Sequence, residues 1–344
     1  MNVALCEYAE KRSYTAGNKA RTDVVQILLD SGYKHIPLYK SKSNKMIIFF
    51  QMAVGCVKTI CTAEKNETVL IQYPYYPAVV NDVLVRILLL GKIIKRYRIG
   101  MLIHDSIGLR NETGNFNLLK KEIKLFDRMD YVVCHNERMI KAFQDRGGSG
   151  NYKVLGPFDY LYTGKIVGMH EYGAEKDTVI IAGNLSKPKC GYVYHLSEIV
   201  EKCHFNLYGV DYSGIVNERI SYKGSFPPDE LISHMEGDFG LVWDGDAVET
   251  CTGVYGEYLK YNNPHKFSLY LAAGIPLIVW SQSALADSVR NNNLGICVNS
   301  LRELDVILAG ISMQEYKAMV SSVLQYRKDI ISGNRLKHAI NNSY

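Results

Sequence analysis

Four consecutive residues, Asn263-Pro264-His265-Lys266, set a helix start beside a histidine and a lysine within the segment "YNNPHKFSLYLAAGIPLIVW", 261 to 280. Asn263 is a good N-cap, Pro264 suits the first helical position, and Gly274 suits the left-handed residue past the end. The local chemistry therefore predicts a helix from about Pro264 to Ala273. His265 and Lys266 then fall in the first turn, where unpaired amides and the positive end of the helix dipole make a ready site for phosphate. Dipole logic alone favours an acid there, so Lys266 either points away into solvent or helps the helix end hold an anion. Its removal is expected to leave the empty protein as stable as before, or slightly more so.

Other candidates follow apolar runs. In "HDSIGLR", 104 to 110, Asp105 can act as a general base oriented by His104, or it can simply cap the next helix. In "GNLSKPK", 183 to 189, Lys187 lies in the same half of the chain as Lys266, and two cations at one sheet edge suit a diphosphate. Tyr208 can stack on a base or pack in the core. The segment "TAGNKA" turns into a helix at Gly17, which either lets backbone approach a ligand or only turns the chain; it lacks G-x-G-x-x-G and the Walker lysine. Asp244 and Asp246 in "WDGD" form an Asp-x-Asp of the kind that can hold a metal ion, but they lie late in the chain, and no metal is assigned to them.

These residues need strand ends to position them. Short apolar runs ("NVALCEY", "TVLIQYP", "IGMLIHD", "YVVCH") alternate with helical patterns in the first half, and the alternation restarts with "TVIIAGN", "HFNLYG", "FGLVWDGD", "IPLIVW" and "GICVNS". Such alternation predicts an α/β chain of two Rossmann-like domains with parallel sheets, binding ligands beyond the carboxyl ends of the strands. The expected division is a first domain over 1–160, a second over 161–312, and a helical segment over 313–344 that crosses back to the first.

The 344 residues, 47% of them hydrophobic, suffice for two cores. Eight scattered cysteines without a Cys-x-x-Cys fit reduced thiols, not zinc or disulfides. No leader-like segment stands out, and "MIIFFQMAVGCV" is too short to span a bilayer, so a cytoplasmic protein is expected. Residues 1–150 hold 23 Lys/Arg against 14 Asp/Glu, about +9, whereas the remainder is about −4. Much of the excess lies in "VRILLLGKIIKRYR", 85 to 98, which is either a solvated helix face with a buried stripe or a patch resting on the inner face of an anionic membrane. Nothing in the pattern matches a nucleic-acid module.

The segments "EYLKYNNPHKFSLYLAAGIPLIVWSQSALAD", "LIHDSIGLR", "NKARTDV", "LGPFDYL" and "AGNLSK" resemble the bacterial two-domain GT-B glycosyltransferases. Within that group the chain is similar to the β-1,6-galactofuranosyltransferases of surface polysaccharide synthesis and to the glucosyltransferases of serine-rich adhesins. The resemblance implies two domains facing a cleft and a UDP-sugar donor, UDP-galactofuranose or another UDP-hexose, bound by the C-terminal domain without cofactor or essential metal. A saccharide acceptor, lipid-linked or free, would bind the N-terminal domain, and a homo-oligomer stays an option. It further implies that Thr15 lies near the donor, that Lys187 and Lys266 reach its diphosphate, that Tyr208 sits near the nucleotide, and that the anomeric centre inverts. Asp105 is the base assigned by position.

Overall fold

The computed structural model describes residues 1–7, 16–38, 45–75, 79–111, 116–164 and 177–341. The chain folds as two compact units: Met1–Lys11, Ala20–Gly156 and Gly333–Tyr344 form the first, and Arg12–Lys19 with Pro157–Ser332 the second.

The first unit runs β1 (Val3–Glu7), α1 (Ala16–Asp30), β2 (Lys34–Leu38), α2 (Lys45–Thr62), β3 (Thr68–Tyr73), α3 (Val79–Lys95), β4 (Arg98–Ile103), α4 (Ile107–Arg110), α5 (Phe116–Phe126), β5 (Tyr131–Cys134), α6 (Glu137–Gln144) and β6 (Tyr152–Val154). Its strands form one sheet in the order β2-β1-β3-β4-β5-β6, every pair parallel.

The second unit contains β7 (Thr178–Asn184), α7 (Lys187–Cys190), β8 (His204–Val210), β9 (Ile220–Gly224), α8 (Pro228–His234), β10 (Phe239–Val242), α9 (Gly253–Tyr258), α10 (His265–Ala273), β11 (Leu277–Trp280), α11 (Ala286–Asn291), β12 (Gly295–Val298), α12 (Leu304–Gly310) and α13 (Met313–Ile330). The sheet order is β12-β11-β10-β7-β8-β9, again all parallel. Along β7, Val179 and Ile181 enter one core cluster while Ile180 and Ala182 enter the other, as the two-residue period of a strand demands. Burial on both faces is why this strand reads as an unbroken apolar run.

The terminal segment differs from the sequence reading. Helix α13 stays in the second unit, with Val323 and Ile330 in the same core cluster as Phe267, Leu269 and Leu271 of α10. The chain rejoins the first unit only from Gly333, a left-handed residue (φ 74°), through α14 (Asn334–Asn341). All eight cysteines are free. Among the described residues no helix is long and apolar enough to cross a membrane.

Candidate functional site

In the second unit α10 begins at His265. Pro264 is the N-cap, extended at φ −66° and ψ 141°, with no side-chain capping bond. The sequence reading is therefore off by one position: Asn263, expected to cap, precedes the cap and is buried. Gly274 closes the helix in the left-handed region (φ 81°), as its place after Ala273 suggested.

Lys266 corrects the expectation most sharply. Its ammonium donates to the Trp243 carbonyl and to Asp244 Oδ1, both at 2.8 Å, and the Lys266 and Asp244 side chains expose only 11% and 7%. Burial disfavours the charge, but the adjacent Asp244 carboxylate leads the groups that outweigh it, so the pKa of Lys266 is held above its ordinary value. The lysine is thus not a solvated side chain. Nor is it dispensable to the fold, because its loss would leave Asp244 buried without a counter-charge. An ammonium has three N–H donors, of which the bonds to Trp243 and Asp244 engage two.

The same pair explains half of the Asp-x-Asp, since one of its carboxylates is committed to Lys266. Among the described residues no group of three or more His, Cys, Asp or Glu side chains is placed to hold a metal ion. The turn that presents Asp244 needs Gly245: at φ 107°, a Cβ there would lie 2.2 Å from the Thr252 carbonyl oxygen. Gly245 N–H donates to the Lys189 carbonyl at 2.9 Å and Tyr192 N–H to the Gly245 carbonyl at 3.2 Å, which ties this turn to the segment after β7. The ends of β7 and β10 and the start of α10 therefore form one bonded platform.

On that platform Lys187 is exposed, its ammonium 5.2 Å from the centre of the Tyr194 ring. Cys190 lies beside Asp244, and burial pushes its thiol up to about 11, which rules it out as a thiolate at neutral pH. The His265 ring stacks on Tyr160 with centroids 5.0 Å apart, and both of its ring nitrogens are buried. Burial pushes its pKa down to about 3, so it packs as a neutral ring and offers no charge to a phosphate. Tyr208, expected near a nucleotide, is a core residue 1% exposed whose hydroxyl accepts the Glu236 N–H at 2.9 Å.

Of the residues expected ahead of α1, Thr15 lies outside the described residues and Gly17 falls in the first turn of the helix. Two residues on, Lys19 groups with the second unit, where it donates to the Leu161 carbonyl at 2.8 Å.

In the first unit the loop after β4 carries His104 and Asp105. His104 Nε2 meets Gln72 Oε1 at 2.5 Å, and Asp105 forms an ion pair with Arg110 on α4. The cap of α4 is Ser106, whose hydroxyl accepts the Leu109 N–H, and not Asp105. The sequence reading missed the group that fixes this loop, Glu122 of α5. Its buried carboxylate accepts Ser106 Oγ (2.6 Å), Tyr73 Oη (2.8 Å) and the N–H groups of Ile107 and Gly108 (both 2.9 Å). Burial pushes its pKa up, against these donors. The available signal was an acid inside the apolar stripe of "FNLLKKEIKLF". His135, after β5, is also neutral, burial pushing it down to about 4 while Nε2 meets the Ile103 carbonyl at 3.0 Å.

Two all-parallel six-stranded sheets with polar groups at the strand ends define a class that solved structures share. The chain superposes on the lipopolysaccharide outer core galactosyltransferase WaaB over 100% of both chains, with a TM-score of 0.62 at 10% identity. It also superposes on the trehalose-6-phosphate structure from E. coli bound with UDP-2-fluoro glucose, over 99% of both chains, with a TM-score of 0.63 at 9% identity. The fold is that of the GT-B glycosyltransferases.

Residues 2–156 match the N-terminal domain, and residues 179–343 the C-terminal domain, described as glucosyltransferase 3-like, and the chain belongs to this family of glycosyltransferases. It is 32% identical over 331 residues to the beta-1,6-galactofuranosyltransferase WbbI of Escherichia coli K12, covering 94% of this chain and 93% of that one. It is 38% identical over 217 residues to glucosyltransferase 3 of Streptococcus gordonii, covering 62% and 61%.

Proposed function

We propose that the enzyme transfers a hexosyl unit, galactofuranosyl before glucosyl, from a UDP-sugar to a saccharide acceptor of a surface polysaccharide or glycoconjugate. The observation that carries the donor sugar is the 32% identity to WbbI along 94% of the chain. The second unit takes the donor: the α10 amides, the remaining N–H of Lys266 and the exposed Lys187 meet the diphosphate. The first unit takes the acceptor.

In the step itself the acceptor hydroxyl gives its proton to Asp105, held by Arg110, while the hydroxyl oxygen bonds to the anomeric carbon. The bond from that carbon to the UDP oxygen breaks, its electron pair leaves with UDP, and the centre inverts. Lysine and helix amides face the charge that grows on the leaving group, so the reading requires neither metal nor cofactor. It places the enzyme at the inner face of a membrane, on a lipid-held acceptor. Turnover of UDP-galactofuranose, UDP-glucose, UDP-galactose and UDP-N-acetylglucosamine, followed as UDP release with simple glycoside acceptors, tests it. Turnover of UDP-glucose alone would move the reading to a glucosyltransferase, the alternative favoured by the 38% identity to the S. gordonii protein. No turnover and no UDP binding would favour a non-catalytic glycan-binding subunit.

A further inference from the structure

We propose that the last turns of α3 and the basic cleft beside them dock the enzyme onto an anionic phospholipid surface. This gives the membrane part of the proposed function a place on the molecule. Leu90, Ile93 and Ile94 are 64%, 75% and 77% exposed, and on α2 Phe50 and Val57 are exposed as well. The two helices pack closely: a Cβ on Gly91 of α3 would lie 2.5 Å from the Ile60 side chain of α2. Large apolar side chains left in water on neighbouring helices mark an interaction surface.

The second observation is electrostatic. A cleft of about 680 Å³ runs beside Ile93 and is lined by Lys92, Arg96, Arg98 and Arg128 against one acid, Asp130. Four cations less one carboxylate leaves +3. Lys92 is bonded to Asp130 at 2.7 Å, and Arg96 and Arg128 bring further guanidinium groups to the cleft. Arg96 is itself conspicuous, because it occupies the left-handed region (φ 59°) just past the helix end, where glycine or asparagine is usual. An arginine tolerated in that conformation delivers a guanidinium to the cleft.

Alkyl groups at the tip of a helix with cations a turn away match the two layers of a bilayer surface, acyl chains below and phosphates above. A second copy of this chain fits less well, since a symmetric contact would bring two +3 clefts together.

The test is flotation of the full-length enzyme with phosphatidylcholine vesicles and with vesicles that also contain phosphatidylglycerol. Binding is expected only to the second kind and should fall with salt. Ile93→Asp with Ile94→Asp should weaken it more than tenfold. Arg96→Gly should weaken it about fivefold, the factor for one basic residue at an anionic surface, with a melting temperature equal to wild type or higher. UDP release with a soluble glycoside as acceptor should not change in either variant. Equal binding to both vesicle types, or variants that bind as wild type does, would overturn the proposal. So would self-association abolished by Ile93→Asp with Ile94→Asp in a protein that ignores vesicles, or binding of inorganic phosphate without vesicle binding. A protein that docks as described but turns over no UDP-sugar would leave this surface standing and sink the transferase reading.

Discussion

Replacing Lys266 by alanine tests the centre of the proposed donor site, because the structure gives the residue a buried ion pair and the proposed function adds a contact to the diphosphate. The first is structural. Removing one partner of a buried ion pair costs about 3–5 kcal/mol, since the other charge stays in a poor solvent. With Asp244 only 7% exposed, that penalty applies nearly in full, eased where water enters the space the lysine leaves. A loss of about 3 kcal/mol is therefore expected for the empty protein, or roughly 6–12 °C in melting temperature for a unit of this size. The companion Lys266→Met with Asp244→Asn removes both charges and should recover most of the loss, a coupling of about 2 kcal/mol in a double-mutant cycle. The second duty is binding. The remaining ammonium N–H on a phosphate oxygen is worth about 1.5–3 kcal/mol, so UDP affinity should fall on the order of tenfold to a hundredfold and the thermal shift on adding UDP should shrink. Thermal melts with and without UDP read both. Should Lys266→Ala melt with wild type, the buried pair contributes nothing and the account of Asp244 is wrong. Should it melt low but gain as much from UDP as wild type, the lysine only holds the turn and does not touch the diphosphate.

Four further outcomes concern other groups. His265 stays neutral in the folded state down to about 3 but titrates near 6.5 when unfolded, so its contribution is complete above the unfolded value and is lost as pH falls below it. At pH 5 that loss is about 2 kcal/mol, and in denaturant titrations at pH 7.5 and pH 5 the stability of His265→Gln should fall by that much less than wild type. Lys187→Ala, at an exposed position, should leave the melting temperature unchanged and weaken UDP binding about tenfold by calorimetry. Glu122→Gln puts an amide N–H₂ against groups that already donate, and should cost about 2 kcal/mol in stability together with a fall in kcat, because the loop carrying Asp105 shifts. EDTA should leave UDP-sugar turnover intact; activity lost to the chelator and restored by manganese would assign Asp246 and Asp244 to a metal.

The central strands were legible because burial on both faces leaves a continuous apolar run, as in "TVIIAGN" and "TVLIQY". The strands that went unread, β2, β6 and β9, all lie at sheet edges. β2 and β9 are buried only in part and β6 has no buried residue, and β2 holds Pro37, which an edge strand tolerates because it has one unpaired side. Helix α2 was invisible for the opposite reason. Its sequence is apolar on nearly every side, so no stripe marked which residues turn inward, and the exposure of Phe50 and Val57 emerged only once α3 and the sheet were in place.

Site residues divide along the same line between local and long-range physics. That α10 begins near Pro264 and ends at Gly274 was readable, because caps depend on a few neighbouring residues. The partner of Lys266 was not: Asp244 lies 22 residues away and meets it only because β10 and α10 belong to one sheet-and-helix layer. Read singly, neither residue disclosed the other: the aspartate was one half of an Asp-x-Asp with no metal assigned, and the lysine was either solvated or part of an anion site. Together they make a near-neutral pair that presents one donor next to the amides of a helix start. A platform of that kind holds its geometry without ligand, and on the proposed reading it would bind a diphosphate through oriented N–H groups more than through net charge. Salt should then weaken UDP binding less than it weakens attachment to vesicles, where the exposed arginines act as screened charges. Measuring both affinities over one range of ionic strength would decide this, and a UDP affinity that fell as steeply as vesicle binding would count against the built platform.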